Sequence, residues 1–237
     1  MSKTTLARVG GLLYLLVAVF GGFAEYVRTS SYVPNDAAAT AANVVQHSTL
    51  FHVAFVADVL DLPAFIVVGL ILYVLLRPVN ASLAVAMLVI NAVSIAIQGL
   101  NMLNHVAALL IATDPSFTAG LSTRSSQALV LFMLDMHRLG YLIAQIFFGG
   151  YMLPLGYLVY RSGFFPKVLG VFLIIGGSSY LVGLFATFAA QSFTSSLATP
   201  LGLVGGLAEL AFLLWLLVFG VRGQTTSEVK GALGWSA

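Results

Sequence analysis

The chain has 237 residues, of which 60% are hydrophobic and only 8% are charged. Soluble domains carry roughly 25% charged residues, so this composition excludes a protein whose whole surface faces water. The formal net charge is +2, and the ten Lys and Arg residues are spread singly along the sequence. No basic stripe is present that could follow a phosphate backbone, which excludes nucleic acid as a partner. The lack of cysteine excludes disulfides and thiolate chemistry.

Six apolar segments follow one another, each long enough to cross a hydrocarbon core of about 30 Å as a helix. Gly and Pro residues between them mark helix ends, as in Arg77-Pro78 and in Ser162–Pro166. We therefore predict an all-α integral membrane helical bundle with about six transmembrane helices, forming one domain over residues 1–237. The predicted spans are 6–24, 50–76, 81–112, 127–160, 166–191 and 200–221, with a polar tail over 223–237.

The basic residues predict the orientation of these spans. Most of them flank the ends of spans on one side of the membrane, whereas the opposite side has only Arg28 and Arg124. Because basic residues are retained on the cytoplasmic side, both termini are expected in the cytoplasm. On the outer side, residues 37–46 are expected to form a short helix capped by Asn35 or Asp36. The residues on the cytoplasmic side are Lys3, Arg8, Arg77, Arg161, Lys167, Arg222 and Lys230.

Ionisable and amide side chains inside the apolar spans are few, and the antiparallel run of the helices brings them to a similar depth. Such groups are costly in lipid, so they face the interior of the bundle, pair with one another or mark function. They predict a polar pocket within the membrane that opens outward, walled by the second, third, fourth and sixth spans. The candidate pocket residues are Asp58, Asp61, Gln98, Asn101, Asn104, His105, Asp135, His137, Arg138 and Glu209.

A structural explanation competes with this functional one. Asp135 and Arg138 are three residues apart on one helix face and neutralise one another if they pair. Alternatively, Arg138 pairs with Asp58 or Asp61 and holds two helices together. The Asn and Gln stripe fits hydrogen bonding between helices as well as it fits ligand recognition.

The histidines give little support to a metal site. No two of them are three or four residues apart, and the H-E-x-x-H pattern is absent. His105 and His137 together with Asp58 or Asp61 are the one combination that the predicted depths allow. We predict no metal, and the sequence identifies no cofactor.

Several motifs spread over nearly the whole chain resemble a bacterial family of multi-pass membrane proteins known as a domain of unknown function. This resemblance implies a bacterial inner membrane and supports the helix count. It places Asp61, Arg161 and Glu209 in recurrent motifs without giving them a role. The motifs are Arg8 with Gly10-Gly11 and Leu13-Tyr14, Leu72-Tyr73 with 75–80, Phe147–Gly150, Leu155–Gly163 with Pro166 and 169–171, and Ala208–Leu210 with 214–217 and Gly220.

Three functions follow from the predicted pocket. The first is the binding of a small or lipid-like, amphiphilic ligand, or a purely structural role, with membrane lipids as the surrounding partners. The second is a membrane-embedded enzyme that acts on a lipid-like substrate through a carboxylate and a histidine. The third is a small proton-coupled transporter. A transporter needs a polar path across the whole membrane, and the inner half of the predicted bundle is almost entirely apolar, which disfavours transport by a monomer. The oligomeric state and the ligand are left open by the sequence.

Overall fold

The computed structural model describes residues 1–189 and 194–221. For residues 188, 189 and 194–199 it describes the backbone but not the side chains. The described residues form seven α-helices, one short 3-10 helix at Pro115–Thr118 and no strand. The helices are α1 (Lys3–Ser31), α2 (Ala37–Gln46), α3 (Ser48–Leu76), α4 (Ala81–Thr113), α5 (Thr123–Arg161), α6 (Lys167–Ala189) and α7 (Thr194–Val218).

Every helix except α2 is long and apolar enough to cross a membrane, which gives six candidate spans among the described residues. This confirms the predicted all-α fold with six spans. Several helices exceed the predicted spans, most clearly α1, which continues to Ser31, and α5, which begins at Thr123. The reason is that a helix continues beyond the hydrocarbon when its polar end residues still favour helical backbone. The polar tail at 223–237 lies outside the described residues, and the cytoplasmic placement of the termini stays a prediction.

The short helix α2 spans 37–46, as predicted. Asp36 is its N-cap, and the Asp36 carboxylate accepts a hydrogen bond of 2.9 Å from the backbone N–H of Ala39. Asn35 precedes it with φ 60°, a left-handed conformation that Asn adopts more readily than most residues. The Pro34-Asn35-Asp36 sequence therefore turns the chain and starts the helix.

The contacts divide the chain into two compact units, and the prediction of a single domain stays a prediction. Among the described residues, the first unit comprises 1–13, 67–91, 148–189 and 194–221. In it, α5 and α6 approach closely because each has glycine at the contact. A methyl group on Gly156 would lie 2.7 Å from the carbonyl oxygen of Gly170, a distance that Cβ atoms in real proteins essentially never show. Small residues allow this close backbone packing in lipid.

The second unit comprises residues 14–66 and 92–147. Its buried apolar cluster includes Val44 of α2 and Phe51 of α3, both fully buried, with Leu109 of α4 and Val130 of α5. The unit also contains α1 from Tyr14 onward. All of the polar candidates except Glu209 belong to this unit.

Candidate functional site

The second unit contains a buried arginine on α1. The side chain of Arg28 is only 8% exposed and forms an ion pair through Nη1 with the carboxylate of Asp58, which is 9% exposed. Arg28 also donates from Nε and Nη2 to Oε2 of Glu25, at 3.2 Å in both cases. Glu25 lies one turn earlier on α1 and is half exposed. The pair thus joins α1 to α3 with opposite charges in contact.

Arg28 was missed as a site residue by sequence reasoning. Because Arg28 follows the first predicted span, the sequence analysis placed it at the outer membrane boundary and used it only to predict orientation. The spacing of Glu25 and Arg28, three residues apart, was the available signal, since such residues share a helix face. A buried guanidinium needs a carboxylate partner because leaving it unpaired costs several kcal/mol.

A second, more exposed charge cluster joins the end of α1 to α5. The hydroxyl of Tyr32 donates to Asp135 at 2.7 Å, and Nη2 of Arg138 lies 3.5 Å from the same carboxylate. The Arg138 guanidinium also lies 5.6 Å from the centre of the Tyr32 ring. Burial, and then the hydrogen bond to Asp135, raises the pKa of the Tyr32 phenol above its ordinary value of 10.0. Of the two pairings predicted for Arg138, the structure therefore shows the one with Asp135.

An amide and two histidines connect α3, α4 and α5. The Asn101 side chain donates to the backbone oxygen of His137 at 2.8 Å, and Asn104 donates to Asn101 at 2.9 Å. In return, Nδ1 of His137 donates to the backbone oxygen of Asn101 at 3.2 Å. Nε2 of His105 donates to the backbone oxygen of Phe51 at 3.0 Å. Hydrogen bonding between helices thus accounts for much of the predicted polar stripe.

Three buried acceptor atoms in this unit have no hydrogen-bond partner among the described residues: Oδ1 of Asp61, Nδ1 of His105 and Nε2 of His137. In each ring the other nitrogen carries the proton and donates it in a hydrogen bond to a backbone carbonyl oxygen, so these two nitrogens are acceptors in the neutral rings. Unsatisfied buried polar atoms are rare in native proteins, and each calls for an explanation.

A cavity of about 230 Å³ lies between α1 and α5 in the second unit. We call it the arginine cavity. Its lining combines guanidinium, carboxylate, imidazole, phenol and hydroxyl groups with one leucine. The lining residues are Glu25, Arg28, Thr29 and Tyr32 from the α1 side and Leu134, His137, Arg138 and Tyr141 from α5.

A larger cavity of about 530 Å³ in the same unit is lined by α2, the end of α4 and the start of α5. No charged residue and no unpartnered buried atom lines it, in contrast to the arginine cavity. An apolar cleft between α6 and α7 in the first unit is lined by Phe172, Ile175, Val204, Leu207 and Ala208. Of these three cavities, the arginine cavity is the one whose lining residues include a buried charged side chain, that of Arg28, and a histidine with an unsatisfied ring nitrogen.

The remaining candidates lie elsewhere. Gln98 donates to Ser94 at 3.3 Å on its own helix. Glu209 belongs to the first unit, where it accepts hydrogen bonds from Tyr151 at 3.5 Å and Tyr180 at 3.3 Å. Within residues 1–189 and 194–221, no three His, Asp or Glu side chains are grouped so that they could hold a metal ion.

Comparison with known proteins identifies the family. Residues 9–220 match the model of a domain of unknown function, DUF4386. An uncharacterized protein of Archaeoglobus fulgidus is 30% identical over 164 residues, which cover 69% of this chain and 80% of that protein. No solved structure matches the chain. The match confirms the predicted resemblance, whereas the bacterial origin and the inner membrane stay predictions. The chain, a helical protein with six candidate membrane spans among its described residues, belongs to the DUF4386 family.

Proposed function

We propose that this protein binds a small amphiphilic ligand, whose polar head group occupies the arginine cavity. The observation that carries the proposal is the cavity of about 230 Å³ that Arg28 and His137 line together inside a membrane-spanning unit. Charged and polar groups are expensive at this depth, and they persist where they serve a function. Ligand sites typically combine apolar walls with a few such polar groups.

The cavity volume limits the size of the ligand. Pockets that hold drug-sized molecules measure roughly 300–1,000 Å³, so this cavity suits a smaller molecule or the head group of a longer one. At about 30 Å³ for each water molecule, it has room for about eight. A single-chain amphiphile fits this limit if its head group enters the cavity and its chain stays among the lipids.

Native mass spectrometry on protein extracted gently from membranes tests the proposal. Thr29 lines the cavity, and its hydroxyl donates only within α1, to the backbone oxygens of Glu25 and Tyr26. Thr29→Trp therefore fills the cavity without removing a contact between helices. Thr187→Trp is the matched control, because Thr187 makes the same kind of bond within α6. We expect the wild type and Thr187→Trp to retain a bound molecule that Thr29→Trp loses. Equal retention in all three proteins would contradict the proposal.

A membrane-embedded enzyme is the second candidate, favoured by the unpartnered acceptors at Asp61 and His137. A general base must have a free lone pair within reach of the proton that it removes. Asp58, by contrast, is occupied by Arg28. If the protein is an enzyme, the wild type converts the retained molecule during incubation and Asp61→Asn does not. Unchanged mass of that molecule with the wild type would exclude this candidate.

A further inference from the structure

Basic residues of the first unit flank the ends of four helices, and we call this set the basic end. Two of them lie in the first two turns of α1, one follows α3, one ends α5 and one begins α6. The residues of the basic end are Lys3, Arg8, Arg77, Arg161 and Lys167.

The order of the spans places the whole basic end on one side of the membrane. Consecutive spans cross in opposite directions, so the start of the first span, the end of the second, the end of the fourth and the start of the fifth share a side. The sixth span, α7, also ends on that side. A contact agrees with this order, since Nη2 of Arg8 donates to the backbone oxygen of Val218, at the end of α7, at 3.1 Å.

No carboxylate balances the basic end within the described part of the first unit. The one acidic residue there is Glu209, nine residues before Val218 and therefore about 13 Å from the end of α7 along the helix axis. Its carboxylate accepts hydrogen bonds from Tyr151 and Tyr180. The salt bridges among the described residues all belong to the second unit. The basic end is thus a concentration of positive charge without an acidic partner in its own unit.

Two members of the basic end are held side by side by the close packing of α5 and α6. A methyl group on Gly170 of α6 would lie 2.6 Å from the backbone nitrogen of Tyr160, the residue before Arg161. Nζ of Lys167 lies 5.5 Å from the centre of the Tyr160 ring. Both basic side chains are exposed, and neither donates a hydrogen bond to another described residue. Arg161 and Lys167 therefore offer two neighbouring cations to a partner.

The position of this pair indicates the kind of partner. Tyr157 and Tyr160 have exposed rings on the last turn of α5, and tyrosine is enriched where a membrane meets water. The negative groups at that level are the phosphates of anionic lipids. Clusters of about four to eight basic residues next to membrane spans bind such lipids.

We propose that the basic end binds anionic phospholipids, with the phosphate of one lipid between Arg161 and Lys167. The arginine donates two parallel N–H groups to phosphate oxygens, and the lysine adds a compact positive charge. The lipid chains lie along the apolar surfaces of the spans. This proposal uses no residue of the arginine cavity, so its failure would leave the proposed function unaffected.

Native mass spectrometry with added lipid tests the proposal. The wild type in an uncharged detergent is titrated with phosphatidylglycerol and, separately, with phosphatidylcholine of the same acyl chains. We expect the dissociation constant of phosphatidylglycerol to be about tenfold lower, because the zwitterionic head group carries its own positive charge. Equal dissociation constants for the two lipids would overturn the proposal.

Substitutions at the two ends of α5 localise the binding. Arg161→Gln should weaken the binding of phosphatidylglycerol about fivefold, and the addition of Lys167→Gln should weaken it further by a similar factor. Arg124→Gln is the matched control for Arg161→Gln, because Arg124 is an exposed arginine at the opposite end of the same helix. An unchanged affinity in the folded double variant, or an equal loss in Arg124→Gln, would overturn the assigned site.

A soluble competitor distinguishes a lipid site from a site for free anions. Glycerol 3-phosphate has a phosphate ester but no acyl chains, so it should leave the amount of bound phosphatidylglycerol unchanged at constant ionic strength. Displacement of the lipid at equimolar glycerol 3-phosphate would assign the pair to a soluble anion and overturn the lipid proposal.

Discussion

Removal of the Asp58 carboxylate should destabilise the protein far more than removal of the Asp61 carboxylate, although both lie on α3 and are equally buried. Asp58 neutralises Arg28, whereas Oδ1 of Asp61 has no hydrogen-bond partner among the described residues. Breaking a buried ion pair by removing one partner costs about 3–5 kcal/mol, because the remaining charge is left unpaired. Glu25 still contacts Arg28 at 3.2 Å in Asp58→Asn, so we expect the lower end, about 3 kcal/mol. Asp61→Asn should cost less than about 1 kcal/mol.

The assay is unfolding of the reconstituted protein by increasing sodium dodecyl sulfate, followed by circular dichroism. Asp61→Asn is the matched control for Asp58→Asn because the chemical change, helix and burial are the same. The double variant Arg28→Leu with Asp58→Leu should recover most of the stability, since an apolar pair can replace a buried ion pair at little cost. Equal losses for the two Asn variants would refute the assigned pairing. So would a double variant that is no more stable than Asp58→Asn.

Three further variants test other contacts by the same unfolding assay. Gly156→Ala should cost about 1–3 kcal/mol, because its methyl group meets the backbone of Gly170, whereas Gly22→Ala, in open space, should change stability by less than about 1 kcal/mol. Equal effects would contradict the close packing of α5 and α6. Tyr32→Phe should cost about 1 kcal/mol at neutral pH through the lost bond to Asp135. Because the pKa of Tyr32 is raised in the folded state, its contribution is present below pH 10 and is lost above it, so the two proteins should converge in strong alkali.

The helices were predictable because lipid imposes one dominant rule: long apolar segments become helices whose backbone groups are satisfied internally. This rule identified six spans, and the predicted cap at Asn35 or Asp36 identified α2. The ends of the long helices were less predictable. The extension of α1 to Ser31 depends on polar residues that carry no hydropathy signal.

The candidate site was predictable in its residue types and less so in its partners. Depth alone grouped Asp58, His137 and Arg138, but depth does not determine which faces of the helices meet. The pairing of Asp58 with Arg28, rather than with Arg138, depends on the rotation of α1 about its axis. Glu25 and Arg28 lie near the outer end of α1, so the hydropathy pattern indicated only that both are charges at the membrane boundary. The unpartnered Nε2 of His137 depends on a backbone hydrogen bond, which a sequence pattern does not reveal.

The measurement that tests ligand binding most directly uses a monoacylglycerol that has a photoreactive diazirine in its chain. The labelled residues are mapped by mass spectrometry of peptides from the wild type and from Thr29→Trp. Binding in the arginine cavity predicts labelling within 25–32 and 134–141 that disappears in Thr29→Trp and persists in Thr187→Trp. Labelling spread evenly over lipid-facing residues, or unchanged by Thr29→Trp, would contradict a ligand site in this cavity.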